Sequence, residues 1–276
     1  MFKNKFIDTF AKRLVSNPRK HILVAITGAS SGLGKQMAEG YAKVGADLVL
    51  LARRVERLEA SAKEWEAKYG VKVLPVACDV TSTDSINAAV AKVEEVFGHC
   101  EVIVNDAGGE KGTGTPLLDY NKSDWEFTLN LDLTSVFAVT QAFGNLMKRA
   151  MAAGKQTYGR VINIASIYGL VGNTALPTIA YHSTKGAVVN FTRGAAAELA
   201  PTGITVNCIC PGYFYTELTT ATLDSEYFQE FARRSVPMQR YGHEGELNAA
   251  AIFLGSEEAS YVTGQNIAVD GGYTCI

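Results

Sequence analysis

The sequence predicts a doubly wound α/β fold, in which a seven-stranded parallel sheet carries helices on both faces. Short apolar runs alternate with segments of helical periodicity from residue 21 to the end of the 276-residue chain. Runs that are apolar throughout are typical of strands buried on both faces, as in parallel sheets. Because no Pro/Gly/Ser-rich linker interrupts this alternation, we expect a single domain over residues 21–276.

The individual strands and helices follow from the apolar runs and from the segments of helical periodicity. The predicted strands are Ile22–Thr27, Asp47–Ala52, Val71–Cys78, Glu101–Asn105, Arg160–Ser166, Thr205–Cys210 and Asn266–Asp270. Apolar side chains at helical spacing predict helices over Val55–Tyr69, from about Ser123 to Arg149, and around Tyr181–Leu199. Ser82 or Thr83 is a candidate N-cap for a further helix after the third strand.

Composition and charge exclude several classes of protein. Hydrophobic residues at 47% and charged residues at 20% are ordinary globular values. The formal net charge of -2 offers no general attraction for nucleic acid. No run approaches the ~20 apolar residues of a membrane span. The five cysteines lack the spacing of a disulfide framework or a metal site, so we expect no bound metal and reduced thiols in a cytoplasm.

Residues 1–20 are predicted to form a basic amphipathic N-terminal arm. Six lysines and arginines accompany one acid, Asp8, and apolar residues recur at helical spacing. The segment lacks the apolar core and small-residue cleavage site of a targeting peptide. We expect the arm to pack on the domain surface, and contact with a membrane surface is the alternative.

A glycine-rich turn joins the first strand to the first helix. Residues 27–34 read TGASSGLG, with glycines at Gly28, Gly32 and Gly34. Such glycines allow a tight turn and let backbone N–H groups approach a pyrophosphate at the positive end of the helix. A glycine-rich turn alone is weak support, but this one follows a strand and opens a helix. The turn therefore predicts a dinucleotide site.

The end of the second strand indicates which dinucleotide is bound. An NAD site usually has an acid there that accepts hydrogen bonds from the adenosine ribose, but this strand ends in Arg53-Arg54. Asp47 lies at the opposite end of the strand, away from the cofactor edge. A guanidinium binds a 2′-phosphate, which a carboxylate would repel. We expect NADP(H), with Arg53 as the principal contact and Arg54 and Ser30 as helpers; solvation of the helix start is the alternative.

Tyr181 and Lys185 are candidate catalytic residues. They are four residues apart, so on a helix their side chains lie on one face. A nearby ammonium favours the phenolate and lowers the pKa of a phenol, which then becomes a useful acid–base group. His182 points about 100° away from Tyr181 on the helix, which favours packing or surface exposure. Ser166 ends a strand at the carboxyl edge, where its hydroxyl could bind a substrate oxygen.

Taken in order along the chain, these motifs resemble the short-chain dehydrogenase/reductase family over about residues 20–276. The carrying motifs are the glycine turn, Asn105-Asp106-Ala107-Gly108, Asn130, Ser166, Tyr181-His182-Ser183-Thr184-Lys185, Pro211-Gly212 and Thr216. The resemblance implies a Rossmann fold, and Asn130, Ser166, Tyr181 and Lys185 as the catalytic set, with Asn130 holding a water beside the lysine. The implied cofactor contacts are Gly28, Ser30, Ser31, Gly32, Leu33, Gly34, Arg53, Arg54, Asp79, Val80, Asn105, Ala107, Gly108, Tyr181, Lys185, Pro211, Gly212 and Thr216.

Individual positions within this resemblance leave questions open. Asp79 resembles the residue that binds the adenine amino group, although a cap for the next helix is nearly as good an interpretation. Asp106 replaces the second asparagine of the family's Asn-Asn-Ala-Gly motif and brings a negative charge near the cofactor. Residues of about 212–245 are expected to form a lid over the substrate. Glu110 and Lys111 could touch a polar substrate or be solvated.

The family resemblance implies an NADP(H)-dependent oxidoreductase that interconverts a ketone and a secondary alcohol, with Tyr181 as acid and base. The segment around Pro211 is similar to gluconate 5-dehydrogenases and related sugar-ketone reductases. An NAD-preferring sugar-acid, polyol or hydroxysteroid dehydrogenase and a 3-oxoacyl-carrier-protein reductase remain alternatives. A sugar-nucleotide epimerase and a non-catalytic dinucleotide sensor are less favoured. The resemblance also implies a homotetramer and a small-molecule substrate. From cysteine usage, charge and the lack of a long apolar run we expect a cytoplasmic protein without nucleic-acid or membrane-spanning partners.

Overall fold

The computed structural model describes residues 22–172, 176–217 and 219–276, so the predicted N-terminal arm lies outside the described residues. All strand pairs of the sheet are parallel, and their spatial order is β3-β2-β1-β4-β5-β6-β7. Helices pack on both faces, which confirms the predicted fold class. The strands are β1 Leu23–Thr27, β2 Asp47–Ala52, β3 Val73–Ala77, β4 Val102–Asn105, β5 Gly159–Ile164, β6 Ile204–Pro211 and β7 Asn266–Val269.

The strand order places a crevice at one edge of the sheet. The chain builds outward from β1 to β3, then crosses back and builds β4 to β7 on the other side. Loops after β1 and β4 therefore leave in opposite directions, and ligands of such folds bind at this reversal. Predicted and observed strand bounds agree within two residues. Ser166 lies beyond β5 because pairing with β6 ends at Ile164, and Ser166 instead begins a 3₁₀ turn over Ile167–Gly169.

The helices agree with the prediction except in one place. They are α1 Gly32–Lys43, α2 Val55–Tyr69, α3 Thr83–Val96, α4 Lys122–Leu129, α5 Ser135–Ala152, α6 Ile179–Leu199, α7 Thr220–Leu223, α8 Glu226–Ser235 and α9 Asn248–Gly255. The helix predicted from about Ser123 to Arg149 is two helices, α4 and α5, joined by a π-helical turn over Asn130–Thr134. Such turns are rare and frequently lie at functional sites.

Alternate residues of the central strands build two apolar layers. Val24 and Ile26 of β1 face the layer formed with α1, α2 and α9, whereas Leu23 and Ala25 face the layer formed with α3 and α5. This division follows from the two-residue period of a strand. Within the described ranges no helix has the length and apolar character needed to cross a bilayer. The sheet and its two layers thus form a rigid support for the loops at the carboxyl edge.

Replacing a buried valine of α3 tests this packing. Val93 is fully buried and Val96 is 47% exposed, so Val93→Ala and Val96→Ala make the same chemical change in one helix with different burial. We expect Val93→Ala to lower the free energy of unfolding by about 2 kcal/mol. Val96→Ala should stay within about 0.5 kcal/mol of the parent chain. Urea unfolding measures both, and equal losses would contradict the assigned burial.

Candidate active site

The carboxyl ends of the strands open into one cleft of about 530 Å³. Most of the predicted site residues line it. They are Gly28, Ser30, Ser31, Gly32, Leu33, Arg53, Arg54, Asp79 and Val80 at one end, and Ala107, Gly108, Ser166, Tyr181, Lys185, Pro211, Gly212 and Thr216 toward the other. The cleft therefore brings together segments that are up to about 190 residues apart in the chain, as the strand order requires.

The glycine turn has the shape that a bound pyrophosphate needs. Gly28 and Gly32 have φ angles of +73° and +60°, which a residue with a side chain rarely adopts. A Cβ on Gly28 would also lie 3.0 Å from the backbone of Ala107. The turn ends at the first residue of α1, where free N–H groups and the helix dipole favour an anion. These residues fit a dinucleotide.

Gly34 does not line the cleft, so its predicted cofactor contact is corrected. A Cβ on Gly34 would lie 2.5 Å from Oδ2 of Asp106 and 2.9 Å from the carbonyl oxygen of Gly28. A glycine is required here because α1 packs closely against the turn and against the segment after β4. Its contribution to cofactor binding is therefore indirect: it allows the turn to sit where it does.

Two arginines lie at the end of the cleft that follows β2. The Arg54 guanidinium donates from Nη2 to the hydroxyls of Ser30 and Ser31, both at 3.1 Å. Arg53 is exposed, lines the cleft, and its charge helps to lower the pKa of Asp79. Guanidinium groups beside serine hydroxyls can bind a phosphate through several charge-assisted hydrogen bonds. Arg54, rather than Arg53, makes the contacts with the glycine turn.

Asp79 is in the cleft but does not cap the next helix. Its Oδ1 accepts hydrogen bonds from the hydroxyl and the N–H of Thr81, at 2.7 and 2.9 Å, and these bonds lower the pKa of Asp79. The N-cap of α3 is Ser82, whose hydroxyl accepts from the Ser85 N–H at 3.3 Å. The alternative interpretation of Asp79 as a helix cap is thus wrong.

Asn105 is buried in the interior next to the site and does not line the cleft. Its side-chain amide donates to Oγ1 of Thr140 at 3.0 Å and to Oδ1 of Asn163 at 2.8 Å, in the interior. Asn105 thereby ties β4 to β5 and α5. The prediction of a cofactor contact at this residue is corrected, because the side chain points into the core and only the residues that follow reach the cleft.

Ser166, Tyr181 and Lys185 meet at the carboxyl edge of β5. Lys185 Nζ lies 5.3 Å from the centre of the Tyr181 ring and donates to the Ile164 carbonyl oxygen at 3.2 Å. Burial raises the pKa of the Tyr181 phenol, while the Lys185 charge and a hydrogen bond to Ser166 act in the opposite direction. The net pKa is raised, so the phenol is protonated at neutral pH and can donate a proton.

Asp132, and not Asn130, lies beside the lysine. Asp132 Oδ2 is 3.2 Å from Lys185 Nζ, and its Oδ1 accepts from the Gly109 N–H at 2.7 Å. Asp132 is fully buried, whereas Asn130 is exposed and does not line the cleft. Residues two apart on a helix point about 200° apart, so only one of them can face the lysine. The prediction for Asn130 was wrong by two residues.

A sequence signal for Asp132 was present. Asp132 stands between Leu131 and Leu133, in a helical segment that has one buried face. A single acid on a buried face requires a partner of opposite charge. Lys185 is that partner. Burial, the largest single effect, lowers the pKa of Lys185, whereas the Asp132 charge and the Tyr181 phenol raise it. The net pKa of Lys185 is raised, so the lysine stays charged.

Asp106, the residue that departs from the family motif, has a raised pKa in its buried position. Its carboxyl points toward the glycine turn, and burial raises the pKa of Asp106 to about 7. Lys185 and the Gly34 N–H oppose this rise. Near neutral pH the residue therefore exists partly as the uncharged acid, which reduces its repulsion of an anionic cofactor.

Aromatic residues cover the outer part of the cleft. The hydroxyl groups of Tyr168 and Tyr213 are hydrogen-bonded to each other across it. The Tyr168 ring meets the Tyr181 ring edge-on at 6.2 Å and stacks on His182 at 4.5 Å. His182 therefore packs, as predicted. Tyr213 also packs against Phe231 at 5.7 Å within the predicted lid segment, so the Tyr168–Tyr213 hydrogen bond joins that segment to the 3₁₀ turn after β5.

Fold and cleft together define a dinucleotide-binding oxidoreductase of the Tyr-x-x-x-Lys type, and comparison with known proteins agrees. Residues 28–274 match a family model described as enoyl-(acyl carrier protein) reductase. The gluconate 5-dehydrogenase of Gluconobacter oxydans is 36% identical over 250 residues, which cover 90% of this chain and 93% of that protein. The 3-oxoacyl-[acyl-carrier-protein] reductase of Aquifex aeolicus is 35% identical over 247 residues, covering 90% and 95%.

Solved structures place the chain in the same group. A gluconate 5-dehydrogenase from Burkholderia cenocepacia in complex with NADP and tartrate has a TM-score of 0.86 at 32% identity, covering 97% of this chain and 99% of that chain. The L-sorbose reductase of Gluconobacter frateurii, complexed with NADPH and L-sorbose, has a TM-score of 0.84 at 32% identity, covering 92% and 97%. The chain belongs to the short-chain dehydrogenase/reductase family, and it is an oxidoreductase that interconverts a ketone and an alcohol.

Replacement of Asp132 by asparagine tests the electrostatics of the site. On the prediction that Tyr181 is the acid–base group, alcohol oxidation requires its phenolate, and we expect the rate to rise as the pH passes through the pKa of Tyr181. The Asp132 charge raises that pKa, and we expect Asp132→Asn to move the rise in kcat/KM for oxidation to lower pH. Asp119→Asn, an exposed acid, serves as the control and should leave the profile unchanged. A shift to higher pH would contradict this account.

Proposed function

We propose that the protein is an NADP(H)-dependent oxidoreductase in which Tyr181 exchanges the proton between a ketone and a secondary alcohol. The single observation that carries this proposal is the position of Tyr181 between Ser166 and Lys185 at the carboxyl rim of the cleft. When bound, the dinucleotide would supply or accept the hydride. The glycine turn, Arg53, Arg54, Val80 and Thr216 are the residues that we expect to hold it, together with the other cleft residues predicted for that role.

Each catalytic side chain has a distinct task in this proposal. The Ser166 hydroxyl donates to the substrate oxygen and orients it. Tyr181 donates its proton to the carbonyl oxygen in the reductive direction and removes the alcohol proton in the oxidative direction. Lys185 stabilises the phenolate that remains after donation. Asp132 positions the lysine by its 3.2 Å contact, in the place that the resemblance assigned to Asn130.

Tyr181→Phe tests the acid–base assignment. The change removes the hydroxyl that transfers the proton and leaves the ring, so we expect turnover to fall at least about a hundredfold. Affinity for the dinucleotide, measured by quenching of protein fluorescence, should stay within about threefold. Tyr261→Phe, at a fully exposed tyrosine, is the matched control. Full turnover in Tyr181→Phe would mean that another group carries the proton, and a dinucleotide sensor without catalytic activity would show no turnover in the parent chain.

The preference for NADP(H) over NAD(H) rests on the two arginines. Arg53 and Arg54 occupy the strand end where an NAD site would have an acid, and Arg54 already orders the Ser30 hydroxyl at 3.1 Å. Solved relatives with NADP and with NADPH support the same preference. Preference for NAD(H) is the alternative.

Arginine removal distinguishes the two dinucleotides. We expect kcat/KM for NADPH to exceed that for NADH at least tenfold in the parent chain, because the 2′-phosphate gains charge-assisted hydrogen bonds. Arg53→Ala and Arg54→Ala should each reduce this ratio by about tenfold, through NADPH alone. Lys63→Ala, at an exposed cation of α2, controls for general charge. Equal rates with NADPH and NADH in the parent chain would refute the assignment.

The remaining expectations concern the setting of the enzyme. Relatives named for gluconate and for L-sorbose support a small-molecule ketone or alcohol. We further propose a single catalytic domain over residues 21–276, a lid over about 212–245, a homotetramer and a cytoplasmic location. Light scattering of the purified protein and cell fractionation test the last two, and a monomer or a membrane-bound pool would refute them.

A further inference from the structure

Tyr213 is held in the cleft by aromatic residues of the predicted lid and of the C-terminus. It follows the end of β6 by two residues and lines the cleft. The ring centres of four other aromatic residues lie between 5.4 and 6.4 Å from that of Tyr213, namely Tyr241, Phe231, Tyr273 and Phe228. A ring that is packed on several sides keeps one rotamer, so the Tyr213 hydroxyl has a fixed position.

The Tyr213 hydroxyl lies next to the catalytic side chains. It is hydrogen-bonded to the Tyr168 hydroxyl across the cleft, which both residues line. The Tyr168 backbone N–H donates to Ser166 Oγ at 3.1 Å, and the centre of the Tyr168 ring is 6.2 Å from that of Tyr181. One residue, Tyr168, therefore separates the Tyr213 hydroxyl from both of the groups that bind the substrate oxygen in the proposed function.

The Tyr213 hydroxyl differs from that of Tyr241 in the same aromatic cluster. The Tyr241 hydroxyl donates to the Phe228 carbonyl oxygen and so stabilises the lid. Within the described ranges, the Tyr213 hydroxyl bonds to Tyr168 and to no group of the lid. The proton transfer proposed for Tyr181 does not use it either. Neither the folding of the lid nor the acid–base chemistry therefore explains why a hydroxyl group stands at this position.

A hydroxyl group of the substrate can replace one phenol of this pair. Burial raises the pKa of Tyr213, so the phenol is protonated at neutral pH and can both donate and accept a hydrogen bond. A substrate hydroxyl has the same two capacities, whereas a methyl group of similar size has neither. Binding that separates the two phenols is costly unless the substrate restores a hydrogen bond to Tyr213, and only the hydroxyl group can do so.

We propose that Tyr213 determines substrate specificity: its hydroxyl binds a hydroxyl group of the substrate, so that the enzyme favours hydroxyketones over ketones with an apolar substituent in the same place. The proposal rests on the proposed function and specifies its substrate class. Reduction adds the hydride of the dinucleotide to the carbonyl carbon and the Tyr181 proton to the carbonyl oxygen. The hydroxyl group that Tyr213 binds is unchanged in the product.

Matched ketones test this preference in the full-length enzyme. The pairs are 2-, 3- and 4-hydroxycyclohexanone, each against the methylcyclohexanone substituted at the same carbon, and hydroxyacetone against butanone. Each pair exchanges a hydroxyl group for a methyl group, and the ring series varies its distance from the carbonyl. In at least one pair we expect kcat/KM, measured by the absorbance of NADPH, to favour the hydroxyketone at least about tenfold.

The other outcomes of this panel separate the inference from the proposed function. Equal rates, or preference for the methyl-substituted ketone, in every pair would overturn the inference and leave the proposed function intact. Turnover of no ketone in the panel would refute both.

Tyr213→Phe tests whether this residue carries the preference. The change removes the hydroxyl and keeps the ring in its aromatic cluster. We expect the ratio of kcat/KM for the hydroxyketone to that for its methyl-substituted partner to fall at least about fivefold, because only the hydroxyketone loses a hydrogen bond. The affinity for NADPH should be unchanged.

Tyr241→Phe is the matched control for an effect that acts through the lid. It removes a hydroxyl from the same aromatic cluster, but Tyr241 does not line the cleft. A loosened lid would slow both ketones of a pair, so we expect the ratio to be unchanged in Tyr241→Phe. The parent ratio in Tyr213→Phe, or an equal fall in both variants, would show that the Tyr213 hydroxyl does not select the substrate.

Discussion

The ion pair between Lys185 and Asp132 is the interaction on which the site depends. Both side chains are almost completely buried, and an unpaired charge in such a place would cost several kcal/mol. The lysine also donates to the Ile164 carbonyl oxygen, and the aspartate accepts from the Gly109 N–H. One pair therefore joins α6, the end of β5, the loop after β4 and the π-helical turn between α4 and α5. The ammonium beside Tyr181 is held in place by the fold itself.

This arrangement makes the chemistry of the tyrosine a balance between opposing effects. Burial and nearby acids favour the neutral phenol, whereas the lysine and Ser166 favour the phenolate. An asparagine in place of Asp132 would leave the lysine charge uncompensated and favour the phenolate more strongly. Asp132 and Glu110 thus oppose the effect of the lysine on the pKa of Tyr181.

The second constraint on the site is the close packing around the glycine turn. Gly28 and Gly34 leave space for Ala107 and for the Asp106 carboxyl, and Thr27 accepts hydrogen bonds from the N–H groups of Asp106 and Ala107 at 3.0 Å. The loops after β1 and β4 are therefore one structural unit. A cofactor bound along the first loop would lie directly beside the chemistry carried by the second, which is the arrangement that the reversal of strand order makes available.

Sequence periodicity alone determined the strands, most helices and the shared face of Tyr181 and Lys185, because these depend on local geometry that every helix and strand repeats. The helix at Val55–Tyr69 and the strand at Asp47–Ala52 agree residue for residue. Only the tertiary structure decided which neighbouring residue faces the lysine, since the choice between Asn130 and Asp132 depends on how a π-helical turn packs against α6. The same applies to Asn105, whose side chain entered the core because partners from β5 and α5 lay there.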